Sequence, residues 1–339
     1  MKPLSSFVVK KNSLNHKVTR RKTLRNTKGK HNNQSTKLLK MKLNKLLLAI
    51  PFTFIPLAFI QNKGLDEIIQ PGDKVEKLAD GFLFTEGPVA DSKGNVYFTD
   101  QPNDRIMEWS LSGKLTTFMQ PCGRSNGMSF DKDGNLWTCA DQKNELWCIS
   151  PDKKVIVIPS TYNGKPLNGP NDLWNTPDGG VYFTDPFYRR SWWDHDAVPQ
   201  DCQAVYYLKP DHKTIVRVAD DLMAPNGIVG TPDGKTLFVA DIRGNKTWEY
   251  SINNDGSLGN KKLFCDMGSD GMTIDIMGNI YLTGKGVTIF NKNGVLSGNI
   301  PVPEDWTANV CFGGDDMKSL FITASKGLYR IRSKIKGAY

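Results

Sequence analysis

Three observations predict an all-β fold, a six-bladed β-propeller with four-stranded blades around a central channel. A turn followed by a strand rich in aromatic and β-branched residues recurs six times between residues 91 and 324. The aligned turn positions, Gly94, Gly134, Gly179, Gly234, Gly278 and Lys318, are separated by 40, 45, 55, 44 and 40 residues, the spacing of propeller blades. No segment after residue 70 keeps a helical period of apolar residues.

The copies run Asp91 to Asp100, Asp131 to Asp141, Pro177 to Asp185, Pro232 to Asp241, Asp275 to Gly284 and Asp315 to Ala324. Each is followed by a second short strand: Arg105 to Trp109, Glu145 to Ile149, Ala204 to Leu208, Lys246 to Tyr250, Val287 to Phe290 and Gly327 to Ile331. Runs this short, bounded by Gly, Pro, Asn and Asp, are strands joined by tight turns. One blade cannot bury its own apolar face, so the sheets must stack radially, and closing the ring protects their edges.

The net charge of +9 belongs to one end of the chain. Residues 1–60 hold 14 of the 44 Lys and Arg and none of the 35 Asp and Glu, which leaves residues 61–339 with 30 basic against 35 acidic side chains. The propeller therefore offers no general field for nucleic acid. Three segments are expected. Residues 1–40 form a basic, aromatic-poor tail or an extension ahead of a true start at Met41, residues 41–60 an export segment, and residues 61–339 the propeller. Met41 to Lys45 leads with positive charge into the apolar run Leu46 to Ile60, the layout of a signal peptide for a periplasmic or secreted protein. A signal anchor is the alternative, and an uncleaved segment there is the one membrane contact expected. The six cysteines permit disulfides after export, with Cys139 and Cys148 symmetric about a turn at Lys143-Asn144. Buried free thiols are the other reading.

In a propeller the loops at one end of the channel gather residues distant in sequence. The loops entering the blades read Phe84 to Pro88, Arg124 to Met128, Asn168 to Leu173, Ala224 to Ile228, Ser269 to Asp275 and Val310 to Gly314. Five of the six carry an oxygen-bearing side chain at one phase: Glu86, Asn126, Asn171, Asn226 and Asp270. Two carboxylates with amide oxygens suit one hard divalent cation, Ca²⁺ above all. His195 and His212 lie outside these loops, so a nitrogen-preferring site is not expected. Any one Asn-Gly pair, taken singly, is a turn.

With these residues in view, the chain resembles the gluconolactonase, senescence-marker-protein-30 and regucalcin-like family of six-bladed propellers over roughly residues 75–332. The resemblance is carried by E-G-P at 86–88, P-N-D at 170–172, P-N-G at 225–227, D-G-M-T-I-D at 270–275 and C-F-G-G at 311–314. It implies a metal-dependent hydrolase that opens a sugar lactone, with one divalent ion, usually Ca²⁺, held by Glu86, Asn171, Asn226 and Asp270. Zn²⁺, Mn²⁺ and Mg²⁺ are alternatives. Asp270 is the expected catalytic base, or else the nucleophile. Arg124, Asn126 and Asp172 are placed to bind sugar hydroxyls, with Asp172 also suited to supporting the metal site. Close relatives hydrolyse organophosphate esters, and a calcium-stabilised propeller that binds a sugar or protein partner without turnover is a further alternative.

The stretch Asp185 to His195, between two strands of the third blade, is not explained by the repeat. A loop of this length is expected to cover a site. Tyr188, Trp192 and Trp193 are candidates to stack on a sugar ring. No G-x-S-x-G and no phosphate-binding glycine loop is present.

Overall fold

A computed structural model of the chain describes residues 63–339. The expectations for residues 1–40 and 41–60 lie outside the described residues. No helix among the described residues is long and apolar enough to cross a membrane.

Six four-stranded antiparallel sheets form the blades. The first blade is a meander of Thr85–Ala90, Val96–Asp100, Arg105–Trp109 and Leu115–Met119. The second to fifth blades repeat that order, opening on Ser125–Phe130, Leu173–Asn175, Pro225–Gly230 and Met272–Ile274. The sixth blade takes Thr307–Gly313, Ser319–Ala324 and Gly327–Arg332 from the end of the chain, and its outer strand, Glu76–Ala79, from the beginning. Glu76 pairs with Arg330, so the two ends of the propeller close the ring within one sheet and leave no blade edge open there. The first strand of every blade faces the channel, and neighbouring blades meet along these inner strands.

The repeated turn owes its shape to specific groups. Asp91 accepts from the backbone N–H of Asn95 and from its amide Nδ2, at 2.9 and 2.8 Å, and Asp131 and Asp275 hold Asn135 and Asn279 the same way. Gly94 has φ +93°, where a side chain is strained. At the far end of the same strands, Asp185 accepts from the N–H groups of Asn168 and Gly169 at 2.9 and 2.8 Å, and Asp241 from those of Met223 and Ala224 at 2.9 Å. Each of these carboxylates therefore pins the loop that enters its own blade. The neighbouring threonines stitch one blade to the next. Thr184 donates to Asn226 O at 2.7 Å and Thr283 to Ala308 O at 2.8 Å.

Cys139 and Cys148 do not face each other. The register sets Cys139 against Leu146 and Cys148 against Trp137, and all six cysteines are free. The four-residue turn at 141–144 shifts the pairing off the symmetry that the sequence suggests.

The other end of the channel is closed by the C-terminus. Tyr339 donates its hydroxyl to Gly230 O at 2.5 Å and accepts from the Trp174 indole at 2.9 Å. Above it lies a mainly apolar cavity of about 140 Å³, of whose lining only Asp172 and Asn309 belong to the polar ring described below.

Candidate active site

The six inner strands place their first residues in a ring at the channel mouth. Glu86, Asn126, Asn171 and Asn226 are buried there, and Asp270 is half-buried. The Asn-Gly and Asp-Gly pairs of these loops are not turns. Gly127 and Gly227 lie within inner strands, Gly271 stands just ahead of one, and none of the three has a positive φ. They are glycines because the space is taken. A Cβ on Gly127 would stand 2.3 Å from Asp172 Oδ1, and one on Gly271 1.9 Å from Asn309 Cγ. The Cβ-free positions let the side chains of the neighbouring blades reach across the mouth.

Asp270 stands at the centre of the hydrogen bonds. Its Oδ2 accepts from the Trp306 indole at 2.6 Å, and its Oδ1 accepts from Asn226 Nδ2 at 2.8 Å. The same Asn226 nitrogen lies 3.1 Å from the Tyr188 hydroxyl. Glu86 accepts from the Gly87 N–H at 2.9 Å through Oε2, Asp172 from the Leu173 N–H at 2.9 Å, and Asn309 from the Val310 N–H at 2.8 Å.

Burial dominates the electrostatics. It raises Asp270 to about 6 against the lowering effects of Trp306, Asn226 and Arg190. It raises Asp172 to about 8, with Asp270 adding to the rise. Glu86 is held well above the usual carboxylate range, first by burial and then by the charges of Asp270 and Asp172. Asp141 and Asp185, buried beside the mouth, rise to about 6 and about 7.

These shifts set a sign for stability. An unfolded Asp titrates near ~3.9, so between that value and about 8 the folded chain holds protons that unfolding releases. The contribution of these groups is full below the unfolded value and is lost as the pH rises through the folded ones. With chelator present, the thermal midpoint is expected to be lower at about pH 8.5 than at about pH 5.5, by on the order of 5 °C. An equal or higher midpoint at the alkaline pH would contradict the buried, mutually repelling acids.

Among the described residues, no group of three or more His, Cys, Asp and Glu is arranged to hold a metal ion. The candidate donor set is of another kind: the carboxylates Glu86 and Asp270 with the amides of Asn171 and Asn226. It fits a hard cation on two counts. The acids repel one another in a buried place, which a positive ion relieves, and the donors offer oxygen. The Asn126 Oδ1 is likewise buried without a hydrogen-bond partner, an acceptor suited to a ligand hydroxyl. The Asn226 amide turns its nitrogen to Asp270, and a half-turn would exchange it for oxygen.

The loop 186–203 arches over this mouth. Tyr188 reaches Asn226 in the fourth blade, while Arg190 Nε pairs with Asp141 Oδ2 at 2.7 Å at the end of the second. Trp193 does not face a ligand as the sequence suggests. It is buried, donates its indole N–H to Asp141 O at 2.7 Å and stacks on His195, so it anchors the loop. Trp192 stacks under Arg124, whose guanidinium NH1 donates to Pro102 O at 2.6 Å. Of the residues placed at the site from sequence, Asn226, Asp270 and Tyr188 form one connected cluster, and Glu86 and Asp172 lie within its electrostatic reach. Arg124 is held apart, under the loop. Trp306 and Asn309 were missed. A Trp in the loop before the sixth blade was the available signal for the first, and Asn309 sits just ahead of the C-F-G-G run.

A family model described as the SMP-30/gluconolactonase/LRE-like region matches residues 84–326. A gluconolactonase of Zymomonas mobilis is 30% identical over 307 residues, covering 80% of this chain and 85% of that protein. A solved structure of a Xanthomonas campestris gluconolactonase superposes with a TM-score of 0.74 at 27% identity, covering 80% of this chain and 93% of the other. The diisopropyl-fluorophosphatase of Loligo vulgaris is 25% identical over 245 residues, covering 64% of this chain and 78% of that enzyme.

Proposed function

Because the chain belongs to the SMP-30/gluconolactonase/LRE-like family, we propose that it opens a sugar lactone at the channel mouth with the help of one divalent cation, Ca²⁺ first among the candidates. The protein is a gluconolactonase-like hydrolase. The observation that carries the finer reading is the convergence of two carboxylates, the buried Glu86 and the half-buried Asp270, with the amide of Asn226 held on Asp270 at 2.8 Å.

Glu86, Asn171, Asn226 and Asp270 would hold the ion, which when bound polarises the lactone carbonyl. The protein's own groups do the rest. The Trp306 indole fixes Asp270 by Oδ2 and leaves its Oδ1 edge to Asn226. Asp270 takes the proton of the attacking water and returns it to the ring oxygen as the ester bond breaks, giving the open hydroxy acid. Attack by Asp270 itself is the rival path and would carry its own oxygen into the product. Asn126 and Tyr188 are suited to hold ring hydroxyls, Asp172 supports the inner face of the ring, and the loop 186–203 excludes water from the mouth. We also place the protein outside the cytoplasm, on the signal-like segment ahead of the propeller.

The test is hydrolysis of a panel of sugar lactones by the purified protein, as prepared, after chelation and after return of calcium. Activity is expected to fall at least ~10²-fold on chelation and to return with the ion. The likeness to a fluorophosphatase makes phosphoesters the second substrate class to include. Tight calcium binding without turnover of either class would leave a binding propeller in place of the enzyme.

A further inference from the structure

Three guanidinium groups and two aromatic rings alternate across the channel mouth. Arg243 lies 5.9 Å from the Tyr188 ring, Arg190 lies 5.7 Å from Tyr188 and 5.6 Å from Trp192, and Arg124 lies 4.6 Å from Trp192. The row starts on the fourth blade, crosses the loop 186–203 and ends on the second blade. Tyr188 ties it to the reacting groups, since its hydroxyl meets the Asn226 amide that holds Asp270.

A guanidinium stacked by its face keeps its in-plane N–H groups free to bind an oxyanion. Only Arg190 of the three pairs with a carboxylate among the described residues, Asp141. Two neighbouring donors in the row, Arg124 Nε and Trp192 Nε1, are buried without an acceptor, and buried N–H groups normally have one. The row thus has more positive charge and more donors than its own contacts use.

We propose that this row is an oxyanion subsite, and that the lactone taken by this site carries a phosphate, sulfonate or carboxylate group remote from the ring carbonyl. The inference rests on the lactonase reading for its substrate class but is tested by binding. The carbonyl end of the substrate sits at Asp270, and the anionic end reaches outward to Arg190 and Arg243. Arg124 Nε and Trp192 Nε1, buried without an acceptor, stand at the far end of the same row.

The test is calorimetric titration of the full chain, with calcium, using gluconate and 6-phosphogluconate. The phosphorylated acid is expected to bind at least ~10-fold more tightly at low salt, with the gap closing as salt is raised. Arg243→Gln is expected to remove most of that gap and to leave gluconate affinity unchanged. Equal affinities in the native protein, or a gap that survives Arg243→Gln, would overturn the subsite. Lactone hydrolysis is followed in parallel. Turnover of glucono-lactone with no preference for the phosphorylated acid keeps the enzyme and rejects the subsite. A phosphate preference abolished by Arg243→Gln in a protein that turns over no lactone keeps the subsite and rejects the lactonase.

Discussion

Asp270→Asn is expected to lower kcat for lactone hydrolysis by about 10³-fold, within the range that a positioned general base supplies. The substitution keeps the shape of the side chain and an oxygen to accept from the Trp306 indole, the 2.6 Å contact that orients it. It removes the group proposed to take the proton. It also removes a charge that its surroundings resist, since desolvation raises Asp270 to about 6. The chelated variant should therefore be at least as stable as the native protein near neutral pH. A large loss of kcat with an unchanged thermal midpoint, compared in chelator, is the expected pair of results. Activity within about threefold of native would remove Asp270 from the proton transfer. Loss of both activity and fold would mark it as structural. Hydrolysis in ¹⁸O-labelled water, followed over a single turnover, separates base from nucleophile. The label enters the product directly in the first case and the carboxylate of Asp270 in the second.

Gly87→Ala is expected to cost about 3 kcal/mol of stability and to take activity with it. The residue has φ +46°, where an L side chain costs roughly 1–2 kcal/mol. Its Cβ would stand 2.0 Å from the backbone O of Asn126 on the next blade, and relieving an overpacked contact costs about 1–3 kcal/mol more. Because the obstacle is backbone, no rotamer change relieves it. The inner strands of the first two blades must separate, and the Gly87 N–H that holds Glu86 at 2.9 Å moves with them. Gly72 provides the control. Its φ is +91° and nothing lies within 4 Å of its Cβ position, so Gly72→Ala carries the conformational cost alone. Urea midpoints of the two variants isolate the collision. If Gly87→Ala were no worse than Gly72→Ala, the inner ring would be looser than its geometry states.

Both expectations draw on features that differ in how far they were legible from the amino-acid order. The blade count was legible because each blade needs the same D-x-x-G-N or P-D-G turn, and a turn of four or five residues is decided by its own side chains, as Asp91 and Asn95 show. The position of the mouth was legible because Glu86, Asn126, Asn171, Asn226 and Asp270 each stand eight residues before the turn glycine of the blade. Taken singly, the Asn-Gly and Asp-Gly pairs among them look like turns, but their glycines are there for a spatial reason. Gly127 is required by Asp172, 45 residues onward, and Gly271 by Asn309, 38 residues onward.

What the sequence determined by itself was therefore the repeated local chemistry: the turns, the strands between them, the closed ring they imply and the phase at which polar residues enter the channel. Tertiary structure alone decided which of those residues touch. Trp306 meets Asp270 across 36 residues, Arg190 meets Asp141 across 49, and Tyr188 meets Asn226 across 38. Such contacts join different blades or a loop to a distant blade, and no local rule of spacing encodes them. They follow from the radial stacking that brings six separate strand ends to one axis, where burial and shared charge turn ordinary loop residues into a site.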